Sequence, residues 1–359
     1  MRRAVITGPK QIVLEDLPIP TPGPTQVLVR MRASALCTWE QRTFAGIDTW
    51  SYPLVGGHEY SGIVEAIGEG VEVTGLKVGD QVSVSGLKRC GQCYSCRRRM
   101  DNLCDNARTA RIPGKPFGPG GFGEYNVLEG HQVFRVGPLA TPEEAALVEP
   151  LACVLHDVKR HPIRPNDVVV IVGAGIMGLL HLAIARRTPS FIIVSEPERV
   201  RREKALELGA HAVIDPSTED YVARVNELSG GRGANVTYVA IGAPAAIEAA
   251  VAAAAKRGVV SVYASVHPRD TTIAVSPNIF HDREVTLSGA YSQERDDFLA
   301  SAELIGRREV DLRPLISRVF PLSGLADAFE EALRKDAYRV LVLPDADFAE
   351  RGDAAARTG

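Results

Sequence analysis

The chain has 359 residues, more than the roughly 100 to 200 residues of one ordinary core, so its length favours two domains. Its 41 Lys and Arg residues against 44 Asp and Glu residues leave a net charge of −3, which gives no general attraction to nucleic acid or anionic lipid. Apolar residues at 45% and charged residues at 24% are typical of a globular chain and exclude a disordered one. We therefore expect neither nucleic acid nor a membrane as a partner.

Two segments bear on targeting. Residues 1–18 contain two arginines, but prolines and charged residues interrupt every apolar stretch, so we predict no secretory signal and a cytoplasmic protein. Residues 168–185 carry no charge and reach the length of about 18 residues that a spanning helix needs. Their β-branched start followed by three glycines is instead typical of a buried strand, a tight turn and a helix start.

The apolar pattern divides the chain into segments of different rhythm. Residues 1–150 show short apolar stretches separated by Gly and Pro, which predicts a β-rich domain, with a cysteine lobe at about 88–106. Residues 151–290 alternate strand-like and helix-like segments, which predicts an α/β domain with a doubly wound parallel sheet. Residues 291–344 form a third segment that contains a helix-like pattern, and we expect 345–359 to form a disordered tail.

An alanine-rich stretch follows the fourth strand-like segment of the second domain. The sequence VAAAA at 251–255 continues a helix-like pattern. Alanine is the best helix former and is often buried, so we predict that the whole stretch lies within one helix and packs in the core.

A glycine motif follows the first strand of the second domain. Gly173, Gly175 and Gly178 lie between the strand at 168–172 and a helix start, with Ile176 and Met177 inside the motif. Glycines at this spacing allow a tight turn, a close approach of a pyrophosphate to the backbone, and close packing of helix on strand. We predict that these five residues bind a dinucleotide.

An acidic residue at the end of the next strand indicates which dinucleotide is bound. Glu196 lies 23 positions after Gly173, near the spacing of about 20 expected for a carboxylate that binds the adenosine ribose. A carboxylate there repels the 2′-phosphate of NADP, so the sequence predicts NAD. Arg199, Arg201 and Arg202 follow on a predicted helix, where we expect a solvated basic face.

Four of the six cysteines form one cluster. Their spacing, C-x2-C-x2-C-x7-C, suits a structural zinc ion held by four thiolates. An iron–sulfur cluster is the alternative, but the bacterial ferredoxin pattern has three residues before its fourth cysteine and a proline after it. The predicted zinc ligands are Cys90, Cys93, Cys96 and Cys104.

The motifs GGHEYSGIVEAIGEGV at 56–71, EPLACVLH at 149–156 and GAGIMG at 173–178, with the cysteine lobe, occur in an order that resembles the zinc-dependent medium-chain dehydrogenase/reductases. The resemblance covers nearly the whole chain. The Glu149-Pro150 step is similar to the polyol, threonine and butanediol dehydrogenase branch, whereas other alcohol dehydrogenases have a cysteine as the third ligand. The resemblance implies a GroES-like catalytic domain interrupted by a Rossmann domain, so that residues 291–344 return to the catalytic domain. It also implies a homo-oligomer, either a tetramer or a dimer.

The same resemblance implies a catalytic zinc ion, the second per chain, in the cleft between the domains. Its implied ligands are Cys37, His58 and Glu149, with water, substrate or Glu59 as the fourth. Three protein ligands leave zinc a position for a substrate hydroxyl, whose pKa falls on binding, and the nicotinamide then accepts hydride. The implied activity is NAD-dependent oxidation of a secondary alcohol of a polyol, sugar, cyclitol or amino alcohol.

One departure from the family pattern concerns the proton relay. Relatives commonly have Ser or Thr two residues after the zinc cysteine, but here Trp39 stands at that position and Thr38 precedes it. In an extended backbone the Thr38 hydroxyl would point to the opposite side. Glu40, Gln41, Glu59 or a water chain are alternative relays, and Trp39 is a candidate wall for a ring-shaped substrate.

Two other functions stay open at this point. The altered relay position is compatible with an NAD- and zinc-binding sensor or scaffold without turnover. A zinc-free reductase of the same fold conflicts with both sets of cysteines. Cys153 is expected in the core, His156 lies near the implied cleft, and the loops 44–52 and 111–122 cannot be placed from sequence, so the substrate is undetermined.

Overall fold

The structure is a computed structural model that describes residues 1–47, 52–107 and 116–346. It divides into two compact units, one formed by residues 1–152 with 294–359 and the other by residues 153–293. The predicted tail at 345–359 lies outside the described residues from 347 onward, as do 48–51 and 108–115 of the loops named above. Asp345, the first residue of that tail, is buried and accepts a 2.7 Å hydrogen bond from the Ser323 hydroxyl.

The first unit is built mainly from β-strands, as its short apolar segments predict. A seven-stranded sheet has the order β14-β15-β3-β4-β5-β7, with β6 also paired to β3, and β1 and β2 form a separate antiparallel pair. The strands are β1 (Arg2–Gly8), β2 (Gln11–Asp16), β3 (Gln26–Ala35), β4 (Glu59–Ile67), β5 (Gln81–Val84), β6 (Tyr125–Glu129), β7 (Val133–Arg135), β14 (Ile316–Pro321) and β15 (Arg339–Leu343).

The helices of the first unit connect these strands or cover their faces. One apolar core is formed by side chains of β3, β4 and β5. A second contains Phe44, Phe122 and Phe329 together with residues of β1 and β15. The helices are α1 (Thr38–Phe44), α2 (Tyr94–Arg97), α3 (Pro142–Ala145), α4 (Val148–Arg160, whose C-terminal part belongs to the second unit), α10 (Arg295–Gly306) and α11 (Leu325–Ala332).

The second unit is a six-stranded sheet of order β10-β9-β8-β11-β12-β13 in which every described pairing is parallel. This is the predicted doubly wound sheet, whose strand order reverses between β8 and β11. The strands are β8 (Val168–Val172), β9 (Phe191–Ser195), β10 (Ala212–Ile214), β11 (Ala234–Val239), β12 (Ala254–Val262) and β13 (Thr286–Gly289). The helices are α5 (Ile176–Ala185), α6 (Arg199–Glu207), α7 (Tyr221–Leu228), α8 (Pro244–Ala252) and α9 (Pro277–Arg283).

Of two predictions about local structure, one is confirmed and the other is wrong. The apolar stretch 168–185 is a strand, a turn and a helix as predicted, and within the described residues no helix is long and apolar enough to cross a membrane. The prediction that 251–255 lies in one helix is wrong, because α8 ends at Ala252 and β12 begins at Ala254. Ala254 pairs with Ala234 of the neighbouring strand, so sheet pairing overrides the helix propensity of alanine.

Candidate functional site

Strand pairing brings the first set of predicted metal ligands together. Cys37 follows β3 and is the N-cap residue of α1, while His58 and Glu59 stand at the start of β4. The two strands are antiparallel, with Ala35 opposite Glu59, so the end of one meets the start of the other. The Cys37 sulfur, a His58 ring nitrogen and a Glu59 carboxylate oxygen all lie within 4.8 Å of one another. Thiolate, imidazole and carboxylate are the donors that zinc prefers.

A buried carboxylate orients the histidine of this set. Glu40 is fully buried on α1, and its Oε1 lies 2.6 Å from His58 Nδ1 and accepts backbone hydrogen bonds from Gly57 and His58. Its Oε2 accepts the backbone N–H of Cys37 at 3.2 Å. The Nδ1 proton of His58 is thereby fixed, which leaves Nε2 to bind a metal. From the sequence, Glu40 was predicted only as an alternative proton relay. In the structure both of its carboxylate oxygens form hydrogen bonds that position Cys37 and His58.

Glu59 is paired with a cation that comes from the C-terminal part of the chain. Arg339 on β15 is 2% exposed, and its Nη2 donates to Glu59 Oε1 at 2.5 Å while its Nη1 donates to the Leu36 carbonyl at 3.1 Å. The second Glu59 oxygen is buried without a hydrogen-bond partner among the described residues. A metal ion would satisfy that oxygen, so this observation fits a cation at the site. No sequence motif indicates Arg339, which lies 280 positions from Glu59.

Charge and burial perturb this set in the metal-free protein. Burial raises the pKa of Glu59 to about 7; the charge of Arg339 opposes the rise and that of Glu149 adds to it. Burial likewise raises the pKa of the Cys37 thiol. For His58, burial alone would lower the pKa, but the charges of Glu40 and Cys37 raise it well above its usual value. A bound divalent cation would lower the pKa values of Cys37 and Glu59, because it stabilises both a thiolate and a carboxylate.

The third implied ligand lies close by but outside the tight group. Glu149 is in the first turn of α4 and is 8% exposed. Its charge acts on both Glu59 and Arg339, yet its carboxylate is not among the ligand atoms that lie within 4.8 Å of one another. The structure therefore brings Cys37, His58 and Glu59 together and places Glu149 beside them.

The relay positions lie on a helix and not on an extended segment. Thr38 is exposed and is the first residue of α1. Side chains of a helix point in successive directions around its axis, so the alternation of side chains expected for an extended backbone does not apply to Thr38 and Trp39. Trp39 is half-buried, packs against the core around Phe44, and meets the His58 ring edge-on with centroids 5.7 Å apart. The indole ring thus contacts a candidate metal ligand directly.

The cysteine lobe has the geometry of a tetrahedral metal site. The sulfurs of Cys90, Cys93, Cys96 and Cys104 all lie within 4.8 Å of one another, with measured pairs at 3.9 and 4.0 Å. A zinc ion with four Zn–S bonds of about 2.3 Å places its sulfurs about 3.8 Å apart. All six cysteines of the chain are free thiols, and these separations are far beyond the length of a disulfide bond.

Neighbouring groups stabilise the thiolate of Cys90, whereas burial and the neighbouring thiols raise the pKa of Cys96 to about 12. The Asn106 amide donates to the Cys90 sulfur at 3.4 Å, as do the backbone N–H groups of Gln92 and Cys93, and these bonds lower the pKa of Cys90 to about 6. Asn106 was not predicted, although it lies two residues after the last ligand. The three arginines at 97–99 are exposed, as expected of solvated side chains.

The glycine turn of the second unit is shaped for a ligand. Gly173 has a φ of +99°, and a Cβ at Gly178 would lie 1.8 Å from the Gly173 carbonyl oxygen, so both positions require glycine. A Cβ at Gly175 would meet no atom within 4 Å, which leaves open space above the start of α5. The first turn of that helix, with Ile176 and Met177, presents backbone N–H groups to this space.

Glu196 closes the turn from the neighbouring strand. It follows β9 and is 4% exposed, and its Oε2 accepts the backbone N–H of Ala174 at 2.8 Å while its Oε1 accepts that of Glu198. The predicted ribose-binding carboxylate is therefore held beside the glycine motif. Arg199 forms an exposed ion pair with Glu203, whereas Arg202 is half-buried and pairs with Asp215 at 3.0 Å. Of the three arginines, Arg202 departs from the predicted solvated face.

Two further residues of α4 were considered from sequence. The Cys153 sulfur donates to the Gln293 side-chain oxygen at 3.3 Å and is half-buried. His156 is 3% exposed. His156 therefore lies in the interior, whereas Cys153, which was expected in the core, is only partly buried.

Comparisons with known proteins agree on one family. Residues 23–138 match the alcohol dehydrogenase GroES-like domain, and residues 176–307 match the zinc-binding dehydrogenase domain. The chain is 34% identical over 296 residues to a 2-dehydro-3-deoxy-L-galactonate 5-dehydrogenase of Pseudoalteromonas atlantica, covering 82% of this chain and 84% of the relative. It is 33% identical to an L-threonine 3-dehydrogenase of Pyrococcus horikoshii (89% and 90% covered) and 27% identical to a sorbitol dehydrogenase of Bacillus subtilis (96% and 98%).

Solved structures show the same architecture. A zinc-binding dehydrogenase of Sinorhizobium meliloti bound to NADP superposes with a TM-score of 0.87 at 27% identity, over 96% of this chain and 99% of that one. The 2R,3R-butanediol dehydrogenase of Bacillus subtilis superposes with a TM-score of 0.83 at 26% identity, with the same coverage. The GroES-like and Rossmann fold predicted from the motifs is confirmed.

Proposed function

Because the chain belongs to the zinc-dependent medium-chain dehydrogenase/reductases, in the polyol and threonine dehydrogenase branch, we propose that its activity resides at the cluster of Cys37, His58 and Glu59. The enzyme is an oxidoreductase that converts a secondary alcohol to a ketone with zinc and a nicotinamide dinucleotide as cofactors. The observation that carries the assignment of residues is the convergence of thiol, imidazole and carboxylate within 4.8 Å. The relatives named above are described as dehydrogenases, and none is described as a sensor or scaffold.

The residues of the first unit divide the work between them. Cys37 and His58 would hold the catalytic zinc, Glu149 would complete the set, and Glu59 would serve as an additional ligand. When bound, zinc lowers the pKa of the substrate hydroxyl and the nicotinamide accepts hydride. Glu40 keeps His58 in the tautomer with Nε2 free, and Arg339 balances the negative charge of Glu59. Oxidation releases one hydride to the cofactor and one proton to solvent, so the reaction is balanced.

The substrate proposal follows from what the relatives act on. Galactonate derivatives, threonine and sorbitol each carry a secondary alcohol beside another polar carbon. We propose the same class for this chain: a polyol, sugar or sugar acid, cyclitol or amino alcohol. Trp39 contacts His58, a proposed metal ligand, edge-on and is the proposed wall of the substrate pocket.

NAD is the proposed cofactor over NADP. The support is the carboxylate of Glu196 beside the glycine turn, which would bind ribose hydroxyls and repel a 2′-phosphate. The cysteine lobe must stay reduced to bind zinc, which supports the cytoplasm as the compartment. A homo-oligomer, dimer or tetramer, is also proposed, and its mass in solution tests it.

The decisive experiment is a screen of sorbitol, L-threonine, 2,3-butanediol, L-galactonate and myo-inositol with NAD or NADP. Alcohol-dependent NADH formation that disappears in His58→Ala, with the lobe zinc retained, supports the proposal. Purified protein with two zinc ions but no turnover on any alcohol would contradict it. An iron–sulfur absorption band would overturn the assignment of the cysteine lobe.

A further inference from the structure

A buried polar cluster in the second unit has no part in the chemistry described above. It consists of Asp157 on α4, His161 directly after α4, His181 on α5, Tyr238 on β11 and Ser261 on β12, here called the Asp157 cluster. Asp157, His181, Tyr238 and Ser261 are 0% exposed and His161 is 5% exposed. Ionisable groups are rarely buried to this degree unless they are paired, so the cluster requires an explanation.

The Asp157 carboxylate collects donors from three elements. Its Oδ1 accepts hydrogen bonds from His161 Nδ1 at 2.7 Å and from the Ser261 hydroxyl at 2.6 Å. Its Oδ2 lies 3.1 Å from His181 Nε2. The Tyr238 hydroxyl donates to the His161 backbone carbonyl at 2.6 Å and so fixes the end of α4. The carboxylate thereby ties α4, α5 and β12 together.

The partners of His181 determine its protonation. Its Nδ1 lies 2.8 Å from the backbone carbonyl oxygen of Met177, which can only accept a hydrogen bond. Its Nε2 faces the Asp157 carboxylate, which also accepts. Both ring nitrogens therefore face acceptors, an arrangement that only a ring protonated at both nitrogens satisfies in full. The rings of Tyr238 and Tyr263 flank it with centroids 4.8 Å away, within the range of cation–π contacts.

The ionisation of Asp157 is consistent with this proton count. Burial alone would raise its pKa, but hydrogen bonds from His161, His181 and Ser261 hold the pKa well below its usual range. The Asp157 carboxyl is therefore a carboxylate at neutral pH and acts only as an acceptor toward these groups. Asp157 and His181 form a buried ion pair whose remaining hydrogen-bonding positions are filled, which is the condition under which such a pair is tolerated.

The ion pair is connected to the nucleotide turn through Met177. This residue lies in the glycine motif and in the first turn of α5, the helix that begins directly after Gly175. The peptide whose carbonyl accepts from His181 also carries the N–H of Gly178, the position at which a side chain would collide with Gly173. The position of this peptide sets how closely the turn packs on the strand.

We propose that the Asp157–His181 ion pair is a positioning device that fixes the first turn of α5 and thereby raises the affinity of the enzyme for its dinucleotide. The inference rests on the proposed use of NAD but not on the zinc site. It assigns a role to two residues that lie outside the glycine motif and outside the acidic position after β9.

The protonation state is tested by the ¹⁵N spectrum of histidine-labelled protein at pH 7.5. In the zinc-loaded protein, where His58 would bind the metal, the expected result is one buried histidine with both ring nitrogens protonated, whose signal disappears in His181→Gln and whose pattern changes to a neutral tautomer in Asp157→Asn. A neutral His181 in the wild-type protein would overturn the proposal. This measurement needs neither zinc turnover nor a known substrate.

The positioning role is tested by equilibrium binding of NAD without alcohol. Asp157→Asn is expected to raise the Kd by at least about tenfold, and Ser261→Ala, which leaves two donors in place, by less. His281→Gln, an exposed histidine of α9, is the matched control and should leave the Kd unchanged. An unchanged Kd in folded Asp157→Asn protein would refute the role. If Asp157→Asn does not fold, the positioning role would be refuted by an unchanged Kd for NAD in Ser261→Ala together with a neutral His181 in the wild-type protein.

A double variant separates positioning from simple stability. Asp157→Asn combined with His181→Phe removes both charges, so the free energy of unfolding should recover relative to Asp157→Asn alone. The Kd for NAD should nevertheless stay raised, because the hydrogen bond to Met177 is absent. Recovery of the NAD affinity together with stability would show a merely structural role and overturn the proposal.

Discussion

Replacing Arg339 with Met tests the electrostatic balance of the candidate zinc site. The side chain is 2% exposed and serves two buried acceptors, the Glu59 carboxylate and the Leu36 carbonyl. Methionine fills a similar volume but donates no hydrogen bond. The variant leaves Glu59 buried beside Glu149 without its cation, in the region where Glu40 is also buried.

The magnitude follows from the burial of the pair. Removing one partner of a buried ion pair costs about 3–5 kcal/mol, because the other charge is left uncompensated. Adding Glu59→Gln to Arg339→Met removes that charge as well, so most of the lost free energy of unfolding should return. Arg339→Lys keeps the charge but loses the two-pronged donor geometry, and its loss should be intermediate.

The pH dependence has a definite sign in the metal-free protein. The pKa of Glu59 in the folded protein is raised to about 7, above its usual value of 4.5. A raised pKa means that the favourable contribution of this group is complete below the unfolded-state pKa and is lost as pH rises through 7. Removing Arg339 raises this pKa further. The destabilisation in Arg339→Met should therefore grow between pH 6 and pH 8.5, by up to about 1.4 kcal/mol per pH unit.

Urea unfolding of EDTA-treated protein at pH 6.0, 7.0 and 8.5 provides the measurement, with the double variant as the control. The zinc content of the reloaded variants reports whether the ligand set survives. A loss below about 1 kcal/mol at pH 8.5, or a loss that shrinks as pH rises, would refute the assignment of Arg339 as the counter-ion of Glu59.

Three other predictions concern metals, cofactor and substrate. Cys93→Ser should lower the free energy of unfolding by more than about 3 kcal/mol and lose one zinc ion, because binding of structural zinc is coupled to folding. His58→Ala should stay folded but lose activity. A fully stable and active Cys93→Ser enzyme would exclude the structural role. Glu196→Ser should relax the NAD over NADP preference by at least about tenfold in binding assays, and equal affinities in the wild type would show the ribose assignment to be wrong. Trp39→Phe should lower kcat/KM for the accepted alcohol by about tenfold with NAD affinity unchanged, while unaltered kinetics would indicate simple packing.

Some site residues could be predicted because their spacing along the chain carries the chemistry. The four cysteines of the lobe lie within 15 residues, so local folding alone brings their sulfurs together. The glycine motif likewise lies at one turn, and Glu196 follows the adjacent strand of the same βαβ unit. Such sites can be predicted without a tertiary structure, because a short chain segment has few ways to arrange its side chains.

Other residues could not be predicted, because the contacts that define them are distant in sequence. Trp39 could be named as unusual, but only the helical path of α1 shows that its ring meets His58 and that Thr38 is exposed. The Ala-rich stretch at 251–255 has a helical pattern, but pairing of Ala254 with Ala234 makes its last two residues the start of a strand. Local propensity is weak, and a buried pairing outweighs it.

The sequence by itself determined the two-domain class, the four-thiol lobe and the nucleotide turn, since each is written in local periodicity or spacing. Only the tertiary structure decided the partners of the buried charges: Glu40 with His58, Arg339 with Glu59, and Asp157 with His181. A charge can be buried only where an opposite charge or donor meets it, and that meeting is fixed by strands and helices far apart along the chain. No spacing rule records it.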